Sequence, residues 1–162
     1  MTARAFVLLA LLATPALADE IPFSPAATEA CLQDRPLDVG CIGDSASACI
    51  ETEAGSSNVG IGACWRAEGD YWQARLDAVL SRLAEGAAQD DALLDEAGSA
   101  AGRQGPALEA MRAAFDAYLS ARCDYEGSLW QGGSGTGPAI AHCRMMMTGM
   151  QALSLETGSP RL

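Results

Sequence analysis

The chain of 162 residues has no lysine: its ten basic side chains are all arginine, set against 21 acidic ones for a formal charge of −11. The arginines stand singly among the carboxylates rather than in a stripe. Both absences argue against nucleic acid as a partner, since a phosphate backbone is held by a clustered cationic surface. They disfavour an anionic membrane surface for the same reason. Apolar runs are short. The longest unbroken one, Ala5 to Ala13, covers nine residues, whereas a bilayer core takes about 20. Histidine occurs once, at His142, and no pair of cysteines stands in a CxxC spacing.

What is present begins with that apolar run. It follows Arg4 and leads into Thr14-Pro-Ala-Leu-Ala18, which has small residues where a signal peptidase reads. This pattern predicts a secretory leader cleaved after Ala18. No cysteine follows the site to take a lipid, and the reading is a periplasmic or secreted protein with no membrane insertion after cleavage. Losing Arg4 leaves 9 basic against 21 acidic residues, a charge of −12. Residues 19–162 are of a length that suits one domain.

The periodicity is helical throughout, with no sustained two-residue alternation. Ser24-Pro25 is a cap followed by proline, opening a short helix to about Gln33 that Pro36 stops. Asp44-Ser45 caps a second short segment, Ala46 to Glu53. After the breaker run Gly55 to Asn58, Trp72, Leu76, Val79, Leu80 and Leu83 mark one face of a helix reaching Glu85, with Gly86 as its C-cap. Gln89 to Gly102 reads as a short helix or a connector. Gly105-Pro106 opens a further helix carrying Leu108, Met111, Phe115, Tyr118 and Arg122 at the same spacing. A glycine-rich loop, Trp130 to Gly137, precedes a last helix from Pro138 with Ile140, Cys143, Met147 and Met150 on one face. The expected fold is all-α: a small disulfide-stapled bundle of two to three longer helices plus short N-terminal ones.

Cys31, Cys41, Cys49, Cys64, Cys123 and Cys143 are an even set in a secreted chain, which favours three disulfides over metal ligation. Zinc sites are usually announced by pairs two to four residues apart, and the closest pair here has seven residues between its members. Six cysteines allow 15 pairings. An antiparallel hairpin about the glycine loop would bring Cys123 to Cys143, leaving two bridges among the other four.

No arrangement of nucleophile, base and orienting group emerges. Gly133-Ser134-Gly135 lacks the G-x-S-x-G spacing and a preceding strand. The glycine loop has no Gly-Lys-Ser/Thr ending for phosphate. The expectation is a non-enzyme without metal or cofactor.

Cys64-Trp-Arg-Ala-Glu68, Trp72-Gln-Ala-Arg-Leu-Asp77, Met111-Arg-Ala-Ala-Phe115, Cys123, Gly132-Gly-Ser-Gly-Thr-Gly-Pro138, Cys143, Thr148 and Leu153 occur in that order. From Cys49 to about Leu155 the chain thereby resembles the LprI-like lysozyme inhibitors, small secreted α-helical proteins. Arg112-Ala113, Phe115 and Leu119-Ser120 stand where that family has glutamine-arginine, tryptophan and arginine-aspartate. The resemblance implies a protein that binds and blocks a cationic lysozyme or other cell-wall hydrolase, toward which an acidic surface would steer. A non-catalytic envelope protein with another structural or stress-related partner is the alternative. An inhibitor needs donors on a rigid protrusion to enter a cleft holding two carboxylates, and the loop bearing Ser134 and Thr136 suits that role. Trp130 at its base is either the anchor of such a contact or, with Trp72, packed inward.

Overall fold

In the computed structural model residues 21–158 are described, and the leader and the cleavage site after Ala18 lie outside them. The chain runs through α1 (Ala26–Asp34), a single 3-10 turn (Val39–Cys41), α2 (Asp44–Ile50), α3 (Asn58–Glu96), α4 (Gln104–Ser128) and α5 (Thr136–Glu156), with no strand among the described residues. Three disulfides, Cys31–Cys41, Cys49–Cys64 and Cys123–Cys143, join Cα atoms 5.5 to 5.8 Å apart. No described helix is long and apolar enough to cross a membrane.

The spine is α3. Ser57 caps it by accepting from the Gly60 N–H at 3.0 Å. Trp72, Leu76, Val79 and Leu80 do lie on one buried face. The helix nevertheless continues well past Glu85: Gly86 is an exposed interior position, and the left-handed residue that ends the helix is Gly98, with φ of 62°. The polar stretch from Gln89 stays helical as far as Glu96 because its carboxylates have work at the next corner. Asp91 accepts from the Gln104 and Gly105 N–H groups at 2.7 and 2.9 Å, capping α4 from the neighbouring helix. Arg103 closes the turn on Asp95 and on the Ala101 carbonyl.

α5 packs along α3 with two glycines at the contact, where an added Cβ would meet α5 at ordinary van der Waals distances. A Cβ at Gly62 would lie 3.5 Å from the Pro138 nitrogen, and one at Gly69 3.7 Å from the Met145 Cβ. The buried face of α5 is Ala141, Met145, Thr148, Gly149, Ala152 and Leu153. Arg75 of α3 meets Glu156 near the end of α5 through two bonds of 2.7 Å. That hydrogen bonding raises the guanidinium pKa above the ordinary arginine value, against the opposing effect of burial and with help from Tyr71.

α1 and α2 fold onto the start of α3 around one buried side chain, Glu68, which is fully enclosed. Its Oε1 accepts from Gly43 N–H at 2.7 Å, Thr28 Oγ1 at 2.9 Å and Trp72 Nε1 at 3.0 Å, and its Oε2 accepts from Ala46 N–H at 2.6 Å. The carboxylate thus caps α2, where unpaired N–H groups and the helix dipole favour a negative group. Thr28 and Ser45 add a reciprocal pair, each hydroxyl accepting the other's backbone N–H at 2.9 and 3.1 Å.

Candidate functional site

Although 25 residues long, α4 buries only Cys123 and Gly127 fully. Leu108, Met111 and Phe115 pack half-buried against the core, while Tyr118 further along the helix is 58% exposed. At the far end α4 is drawn tightly to α5: a Cβ at Gly127 would sit 2.7 Å from the Ile140 side chain, and Cys123 bonds Cys143. Between these attachments α3, α4 and α5 leave an open groove of about 820 Å³.

Aromatic and thioether side chains dominate its lining. Trp65 comes from α3, Tyr118 from α4, Trp130 from the loop, and Met147 and Met150 from α5. Of the stripe Ile140, Cys143, Met147 and Met150 that the period of α5 marks out, the last three line the groove, Cys143 from a buried position, and Ile140 does not; the core is filled from the adjacent face around Met145. Polar groups stand among the rings. Arg122 and Glu126, one helical turn apart, form an ion pair. His142 meets Trp65 edge to face with ring centres 4.8 Å apart. Asn58 Nδ2 donates to Ser134 Oγ at 2.8 Å, tying the loop to the start of α3.

The loop itself is a fixed turn. Gln131 and Gly132 both take positive φ, 50° and 79°, and the Gly133 N–H donates to the Trp130 carbonyl at 2.8 Å, the pattern of a type I′ turn. Trp130 is 55% exposed, so of the two tryptophans only Trp72 is core. The Trp130 ring lies over Gly135, where any Cβ would collide with it at 2.1 Å. Of the three candidate loop residues, Trp130 and Ser134 lie on the groove. Thr136 begins α5, half-buried, outside the groove lining, and its Oγ1 is buried with no hydrogen-bond partner. The periodicity of α5 carried the signal for Met147 and Met150. Tyr118 belongs to the stripe that the period of α4 marks out, whereas no local pattern singles out Trp65.

The departures Arg112, Ala113, Phe115, Leu119 and Ser120 are absent from the groove lining. Among the described residues, one set of side chains comes within metal-ligand reach, Cys31, Cys41 and Asp44. Its two sulfurs are bonded to each other, which leaves no thiolate to coordinate.

Fold and groove together define a class: a small all-α protein, stapled by three disulfides, with an open aromatic cleft. The chain belongs to the LprI lysozyme inhibitor family, whose model matches residues 49–155, from the end of α2 to the last turn of α5. No curated protein and no solved structure matches the chain. The family is one of inhibitors, not of catalysts.

Proposed function

We propose that this protein acts outside the cytoplasm, binding a cationic lysozyme or other cell-wall hydrolase and presenting the turn from Trp130 to Gly135 to the enzyme's cleft. Family membership supports the inhibitory role, and the formal charge of −11 favours a basic partner by speeding association. The observation that carries the choice of surface is a tryptophan 55% exposed on a loop fixed at both ends. Cys123–Cys143 closes the hairpin below it, and the Asn58–Ser134 bond ties its flank. An exposed tryptophan held rigid is the usual anchor of a tight interface, because little conformational entropy is lost on binding.

A turbidity assay of lysozyme on bacterial cell walls, with and without the purified oxidised protein, tests the reading. Clearing of the suspension should slow in proportion to inhibitor. Trp130→Ala should weaken inhibition by about 30-fold, the effect of losing one hot-spot side chain, and Ser134→Ala by a smaller factor. Higher salt should slow association. No inhibition at micromolar concentrations of chicken-type, goose-type or endogenous hydrolases would remove the proposal.

A further inference from the structure

We infer that the groove between α3, α4 and α5 is a saccharide-binding site, shaped for an oligosaccharide. The inference goes beyond lysozyme inhibition and does not depend on it. A sugar ring has apolar C–H faces and an edge of hydroxyl and amide groups. It therefore needs flat aromatic surfaces together with hydrogen-bonding groups in one open cleft. The groove supplies both. Tyr118 and Trp130 are more than half exposed, and Trp65 is held by its edge-to-face contact with His142. The Arg122–Glu126 pair offers donors and acceptors, and Asn58 with Ser134 adds uncharged ones.

The same features exclude other ligands. An acyl chain would leave the ion pair desolvated without a new partner. A phosphate would meet a single arginine in the lining, beside the Glu126 carboxylate and within a strongly acidic chain. Size agrees as well: about 820 Å³ lies within the range of ligand clefts. From Tyr118 to Glu126 the α4 wall runs roughly 12 Å at the helical rise, long enough for two or more sugar rings in line. Such a site would hold the protein on a glycan polymer, so that it meets a hydrolase where that enzyme works.

The test is titration of the full, oxidised protein with β-linked N-acetylglucosamine oligomers in the absence of lysozyme. Calorimetry and tryptophan fluorescence both report binding, with Trp65 and Trp130 at the groove and Trp72 buried away from solvent. Saturable binding is expected, tighter for the tetramer than for the monosaccharide. Trp130→Ala and Tyr118→Ala should each weaken it by about tenfold while leaving the helical circular dichroism unchanged. No saturable signal up to about 10 mM ligand overturns the inference, as does binding that both substitutions leave intact. An amphipathic apolar peptide that binds while the oligomers do not would also overturn it, and would reassign the groove as a helix seat. Because no lysozyme is present, glycan binding and enzyme inhibition can fail separately.

Discussion

Glu68→Gln is nearly isosteric, yet it should be among the most damaging conservative substitutions in the chain. The carboxylate is fully enclosed and takes four donors from three different segments, Thr28, Gly43 with Ala46, and Trp72. If the glutamine oxygen occupies the place of Oε1, three of those bonds survive as neutral ones. Its NH₂ then faces the Ala46 N–H at the 2.6 Å site, donor against donor. A lost hydrogen bond to a charged group costs about 1.5–3 kcal/mol, and leaving the Ala46 donor unsatisfied falls within the same range. Weakening of the other three adds to this, so the expected loss is about 3 kcal/mol. With a urea m-value of about 1.5–2 kcal/mol/M, the unfolding midpoint should fall by about 1.5–2 M. Glu68→Leu leaves all four donors unpartnered and should cost more. The assay is equilibrium urea unfolding of the oxidised protein followed by circular dichroism, with amide exchange over residues 24–50 reporting whether α1 and α2 loosen first. A shift below about 0.5 M for Glu68→Gln, or glutamine and leucine variants of equal stability, would refute the reasoning.

Two alanine substitutions at glycine should go in opposite directions. In Gly60→Ala the new Cβ lies 2.2 Å from the Ala54 carbonyl oxygen, a backbone atom that cannot step aside, so loss of the native fold or a drop of several kcal/mol is expected in thermal unfolding. Gly86→Ala meets nothing within 4 Å in the interior of α3 and should stabilise by about 0.5–1 kcal/mol, raising Tm by a few degrees. Replacing Cys123 and Cys143 by serine together opens a loop of sequence separation 20 and should cost about 3 kcal/mol, with faster amide exchange in the second half of α4. Gln131→Gly relieves a side chain held at φ 50° and should leave stability unchanged or improve it by up to about 1 kcal/mol, whereas Gln131→Val should lower Tm.

How much of this was legible depends on whether local chemistry decided the outcome. The all-α class, the Trp72–Leu80 stripe and the order of the helices follow from periodicity, because each apolar face meets a partner at its own spacing. The Cys123–Cys143 hairpin follows from its short loop. The length of α3 was not legible: Gly86 looks like a terminator, but an exposed helical glycine costs only about 1 kcal/mol relative to alanine, less than the corner built by Asp91 and Arg103 returns. The buried face of α5 was not legible either. The sequence advertises its methionines, while the core contact with α3 and the 3-10 turn uses small residues, such as Gly149, where a Cβ would come within 2.9 Å of Ile42. The role of Glu68 is invisible locally, since three of its four donors are 22 to 40 residues away.

The groove stays open for a reason that joins these observations. An apolar cleft between helices ordinarily closes, because collapse removes surface from water. Here α4 is held at both ends by attachments that fix its distance from its neighbours. At its start, Asp91 caps it and Arg103 clamps the turn on Asp95. At its end, Gly127 lies against Ile140 and a disulfide fixes the neighbouring residues. Pulling the middle of α4 inward would need a kink, and no proline interrupts the helix beyond Pro106, in its first turn. The Arg122–Glu126 pair opposes closure as well, since burying it would remove its water without supplying new partners. Exposed aromatic surface is thus maintained by the joints of α4 to its neighbours, among them the disulfide to Cys143 in the groove wall. A binding cleft can persist in a domain this small because covalent and polar joints fix the spacing of its walls.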